Sequence, residues 1–140
     1  NHKSFKMKKL TISFFLGFLT FSIIGSVAAF LFYLPEFAAL HNAYPSAVNE
    51  NPEPVSGTLL GIIQLIVLVV LMDKLKIDSI KNGAVLGAVF SGLLWLMIDL
   101  QMVSLTSIFN YDFLVVDVVI STVLGLIGGA VIAWSQKKYS

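Results

Sequence analysis

The sequence predicts an all-α fold: a polytopic transmembrane four-helix bundle. Two observations lead there. The apolar residues are contiguous, falling in four runs of about 17–25 residues with few or no charges, and about 20 residues suffice to span a hydrocarbon core as a helix. The charge is also sparse: 12% of the 140 residues are Asp, Glu, Lys or Arg and 57% are hydrophobic, whereas soluble domains carry about 25% charged residues. The four runs account for most of the chain and leave no room for a separate soluble domain.

The first run covers residues 10–34. Residues 1–6 precede the first methionine, Met7, and are set aside as a remnant or an upstream tail. Lys8 and Lys9, the apolar stretch behind them and the small residues Ser26-Val27-Ala28 have the outline of a secretory signal. The stretch nevertheless continues through Phe30, Leu31, Phe32, Tyr33 and Leu34, longer than a signal core needs, and reads as a membrane helix. Pro35 ends that helix or opens the next segment.

Residues 35–55 hold all four prolines and no lysine. Within them Phe37, Leu40 and Tyr44 recur at helical spacing, so 36–44 can form a short helix lying in the interface. The second helix is 56–72. Gly57 and Gly61 stand four apart at its start, and Gln64 is its one polar side chain near the middle. A buried amide needs a partner, commonly on another helix.

The third and fourth helices, 83–103 and 114–134, are joined by a short turn and should be antiparallel neighbours. The third shows two rows of small residues, Gly83, Gly87 and Ser91 beside Ala84, Ala88 and Gly92. The fourth shows one row, Asp117, Ser121, Gly125, Gly129 and Ala133, each four apart and so on one face. Such rows let helix backbones approach closely. Gly57, Gly61, Gly83, Gly87, Gly92, Ser121, Gly125 and Gly129 are therefore the expected packing positions.

All nine basic residues are lysines, and they fall at the N-terminal end, in the second loop and at the C-terminal end. The positive-inside pattern predicts cytoplasmic termini in a multi-pass protein of the cell membrane, with loops 35–55 and 104–112 outside. Asp99 and Asp117 then lie just inside the outer ends of their helices, on the same side as Glu36, His41 and Asp112. Carboxylates in such runs are costly and mark functional hypotheses. The helix dipole favours the charge of Asp117, near a helix start, and not that of Asp99, near a helix end. Asp99 is thus the candidate proton carrier or cation ligand. The candidate polar or ion site comprises Asp99, Asp117, Gln64, Glu36 and His41.

Other chemistry finds little support. Without cysteine there is no disulfide, thiolate nucleophile or Cys-ligated metal. Asp99, Asp117, Glu36 and His41 match no metal-ligand spacing, and no nucleophile motif is present, so no metal, cofactor or catalytic residue is assigned. No basic cluster interleaved with aromatics suggests nucleic acid as a partner.

The pattern of Gly83, Gly87, Trp95, Asp99 and, after a turn, Asp117 resembles that of small bacterial four-helix integral membrane families of unknown function. Tyr33-Leu34-Pro35-Glu36-Phe37 is similar to an aromatic-Pro-Phe stretch in one of them, while Leu100-Gln101-Met102 departs from a Thr-Asn pair favoured there. The resemblance implies the architecture, and a bacterial inner membrane, but no activity. Two function classes follow. One is a non-enzymatic packing or accessory protein whose partners are the bilayer and itself, or a larger membrane complex. The other is a small proton- or cation-coupled transporter or channel using Asp99 and Asp117.

Overall fold

The computed structural model describes residues Asn1–Ser140 and is entirely helical. Helix α1 (His2–Ala28) passes through a π-helical turn (Ala29–Tyr33) into α2 (Leu34–Ala43); α3 (Pro54–Lys74), α4 (Ile80–Leu105) and α5 (Tyr111–Lys138) follow. Four stretches are long and apolar enough to cross a membrane: His2–Ala43, Pro54–Lys74, Ile80–Leu105 and Tyr111–Lys138. They fit a small integral membrane protein.

The helix ends follow from local chemistry. Glu53 caps α3, its carboxylate accepting the N–H of Val55 and of Ser56, each at 2.8 Å, with Pro54 in the first turn. The Ser56 hydroxyl and those two N–H groups hold the Glu53 carboxyl below its usual range. Ser79 caps α4 through the Asn82 N–H at 3.1 Å, and Asn110 caps α5 through the Phe113 N–H at 2.9 Å. Each helix outlasts its apolar run because the capping residue, not the change of polarity, starts the backbone ladder.

Residues 2–6 form the first turns of α1, with Lys6 paired to Asp73 at 3.2 Å. One expectation needs correction. Pro35 does not end the first helix: it stands in the first turn of α2, which follows the π-turn without a break. A proline lacks the N–H its turn requires and its ring crowds the carbonyl four residues back. Here the turn before it is already widened: the Leu34 N–H bonds back to the Ala29 carbonyl, five residues away. That π-turn accommodates the ring, and the helix runs on until Tyr44 leaves helical geometry.

Helices α4 and α5 make the most extensive contact in the chain, and their small-residue rows explain it. Gly83 and Gly87 lie against the carbonyl oxygens of Gly129 and Gly125, and those glycines face the Gly83 and Gly87 oxygens in return. Backbone meets backbone, an approach suited to weak Cα–H···O bonding. On α1, Phe21 fills the notch left by Gly128, and Gly17 receives Leu65 of α3 and Ile132 of α5.

The apolar core lies toward one end. Leu65, Leu68, Val69 and Met72 of α3 join Ile132 and Ala133 of α5, with Leu10, Phe14 and Phe21 of α1 around them. Polar clamps tighten the same end. Ser13 and Ser135 hydroxyls meet at 3.2 Å, Lys9 pairs with Asp73 at 2.7 Å, and the buried Gln136 amide donates to the Val69 carbonyl at 3.0 Å. Every buried residue of α3 falls in its second half, and residues 54–61 are all exposed. The first half of α3 therefore stands away from α4 and α5. If Gln136 fastens the second half, Gln136→Leu should cost about 1–2 kcal/mol, the loss of one buried hydrogen bond. A thermal-unfolding midpoint equal to wild type in the same bilayer nanodisc would show that it does not.

Candidate functional site

The gap beside the first half of α3 is a cavity of about 750 Å³, bounded by α1, α2, α3, α4 and α5. Its walls are mainly apolar, with Phe18, Leu65, Leu68, Ile98, Met102 and Leu124 among them. Its polar groups gather around two acids. Asp99 of α4 and Asp117 of α5 both line it, only 5% and 6% exposed. The Gly83/Gly87 and Gly125/Gly129 rows bring α4 and α5 to backbone contact, and one or more helical turns further along the same faces that closeness brings the acids together. Both carboxyls line the one cavity, close enough for the charge on one to be felt by the other.

The surrounding groups treat the two acids differently. The Tyr33 hydroxyl donates to Asp117 Oδ1, and Ser121 lines the same cavity. Asp99 Oδ2 is buried with no hydrogen-bond partner, and so is the hydroxyl of Ser91, two turns earlier on α4. An unsatisfied polar atom in an apolar wall costs free energy, so each marks a place where a ligand has something to gain. Trp95 and Gln64 also line the cavity.

An aromatic cluster sits at the same end. Phe113 stacks on Phe32 at a centroid distance of 5.9 Å, meets the edge of Phe37 at 6.0 Å and approaches Phe109 at 4.9 Å. Tyr33 stacks on Phe37 at 6.3 Å. The start of α5 is in this way joined to the helix that delivers Tyr33. Aromatic pairs of this kind contribute about 0.5–1.5 kcal/mol each beyond the area they bury.

Of the five polar residues expected at the site, the structure brings three to one cavity: Asp99, Asp117 and Gln64. Glu36 and His41 are not among its lining residues. The His41 Nδ1–H donates to the Val48 carbonyl at 2.6 Å and ties α2 to the following loop. No group of three or more His, Asp or Glu side chains converges on a metal-sized site.

Among the packing positions, Gly83, Gly87, Gly92, Gly125 and Gly129 are buried at helix contacts within the chain, and Ser121 is buried in the cavity wall. Gly57 and Gly61 are not. They face open space, where an added Cβ would meet nothing within 4 Å, and they form part of the cavity wall.

Sequence reasoning passed over Tyr33 and Ser91. Ser91 was visible in the Gly83, Gly87 row, but nothing local distinguishes a packing serine from one that faces a cavity. Tyr33 was hidden because its direction depends on the π-turn. No family model, curated protein or solved structure matches the chain.

Proposed function

We propose that this protein binds, within the membrane, an apolar molecule bearing one positive charge, with Asp99 and Asp117 as the counter-charge. The observation that carries the reading is the pair of buried carboxyls set in a mainly apolar cavity of about 750 Å³. Two carboxylate charges side by side repel, and one cation between them removes the repulsion. The apolar walls take the rest of the molecule, and the cavity falls within the usual range of about 300–1,000 Å³ for small-molecule sites.

Tyr33 positions Asp117 by occupying one of its oxygens, which leaves the other side of the pair and the free Asp99 Oδ2 for the ligand. Exchange of the cation for a proton at this pair is the step that turns binding into coupled transport. In this reading the lysine-bearing end is cytoplasmic, by the positive-inside rule, and the cavity belongs to the outer half of the membrane. On this reading the cavity supplies a counter-charge and a shape, and calls on no catalytic residue.

The test uses tetraphenylphosphonium and tetraphenylborate, ions of the same shape and opposite charge. Binding is read from Trp95 fluorescence in a Trp134→Phe background, with the protein in nanodiscs. Saturable binding of the phosphonium and none of the borate is expected. Equal binding of both would reduce the cavity to a greasy gap and end the proposal.

A packing or self-associating role keeps one supporting observation. Gly57 and Gly61 form a small-residue row on α3 that no helix of this chain covers.

A further inference from the structure

At the opposite end of the bundle lies a second concavity, of about 960 Å³. Three separate segments wall it: the start of α1, the α3–α4 turn and the end of α5. Six lysines line it, Lys6, Lys8, Lys9, Lys76, Lys137 and Lys138, against two acids, Asp73 and Asp78. Asp73 is already engaged by Lys6 and Lys9, at 3.2 and 2.7 Å. The ammonium groups of Lys8, Lys76, Lys137 and Lys138 have no carboxylate partner within 4.0 Å. Lysines from three segments leave one hollow with an excess of positive charge.

The backbone at Lys76 supplies an independent observation. Lys76 is the only non-glycine residue with positive φ, at 53°. It directly follows the residue that caps the end of α3, where glycine is the usual choice because it adopts this conformation without steric cost. A lysine there is conformationally disfavoured, yet it lies in the wall of the basic hollow.

From these observations we infer that the hollow is a binding site for the phosphate headgroup of an anionic phospholipid. Phosphate is the shared chemistry of a headgroup and a soluble anion. The lipid is the occupant because the hollow sits at the ends of four membrane-length apolar helices, where headgroups lie. Aromatic groups of the headgroup level stand beside it. Lys138 Nζ lies 5.0 Å from the Trp134 ring centroid and 5.6 Å from that of Tyr139. Phe5 and Tyr139 form part of the lining.

The site is distinct from the carboxyl cavity and does not depend on what that cavity binds. Phospholipid would join α1, α5 and the α3–α4 turn across the hollow, adding to the Lys9–Asp73 and Gln136 clamps at the same end.

Full-length protein is purified from mixed phosphatidylglycerol and phosphatidylcholine membranes, and the lipid retained through detergent exchange is counted by native mass spectrometry. Retention of phosphatidylglycerol at least tenfold above phosphatidylcholine is expected. Lys76→Gly should reduce that retention at least fivefold while leaving the thermal midpoint unchanged or higher, because the strained backbone is relieved. A Lys137→Gln/Lys138→Gln variant should reduce it similarly. Lys74→Gln, outside the hollow, should not. Equal retention of the two lipids, or equal loss in Lys74→Gln and Lys76→Gly, would overturn the site in favour of general attraction to a charged surface. Displacement of the lipid by millimolar inorganic phosphate would overturn the choice of lipid.

Discussion

Gly87→Ala is expected to destabilise the fold by about 1–3 kcal/mol, the usual cost of forcing extra atoms into a filled contact, and Gly87→Leu to prevent its formation. An added Cβ at Gly87 would collide with the Gly125 carbonyl oxygen and would stand 2.9 Å from Gly129 Cα and 3.0 Å from Gly125 C. All three are backbone atoms, so no side chain can rotate away. The helices must separate, and their separation also pulls apart Asp99 and Asp117. Gly25 provides the opposite sign. A Cβ there meets nothing within 4 Å, so Gly25→Ala should be neutral or stabilising by up to about 1 kcal/mol through helix propensity. Thermal unfolding followed by circular dichroism in nanodiscs measures both. If Gly87→Ala matches Gly25→Ala, α4 and α5 are not in backbone contact.

Asp99→Asn should weaken tetraphenylphosphonium binding by about 2–4 kcal/mol, or about thirty- to a thousandfold, as when one member of a buried charge arrangement is removed. Asp117→Asn should do the same, and the double variant should be little worse than either single one. Such non-additivity is the mark of groups that act on one ligand charge together. It separates a shared site from two independent attractions, for which the losses would sum. Substitution by asparagine keeps the shape of the side chain and an acceptor for the Tyr33 hydroxyl, so the fold should survive. Additive losses would contradict the shared pair, and full binding in Asp99→Asn would contradict the function proposed for it.

The helical architecture was legible because membrane-length apolar runs admit almost no other reading. The α4–α5 contact was legible too, since Gly83, Gly87, Gly125 and Gly129 repeat at the helical period. The acids could be placed at one end of the bundle by counting along their helices. That they meet depends on how closely α4 and α5 approach, which only the packed backbones reveal. Glu36 and His41 share the end but not the cavity, because proximity along the bundle axis says nothing about azimuth. Pro35 misled for a related reason: the rule for proline in a helix assumes a regular α-turn before it, and here that turn is widened. The uneven packing of α3 was only partly legible. Its first half carries Ser56, Gly57, Thr58, Gly61 and Gln64 and its second is aliphatic up to Met72, but small and polar residues facing a cavity look the same in sequence as those facing another helix.

The π-turn at Ala29–Tyr33 has a consequence beyond accommodating a proline. One residue advances an α-helix by about 100° around its axis. A turn with one residue too many therefore sets the two parts of a continuous helix at different phases. The earlier part aims Gly17 and Phe21 at α3 and α5 and lends Phe18, Phe21 and Ser22 to the cavity wall; the later part aims Tyr33 and Phe37 at the same cavity. In a regular helix Gly17 and Tyr33 would fall about 160° apart around the axis. The extra residue winds the later part back, so one continuous helix both seats itself on its neighbours and reaches around to close the site.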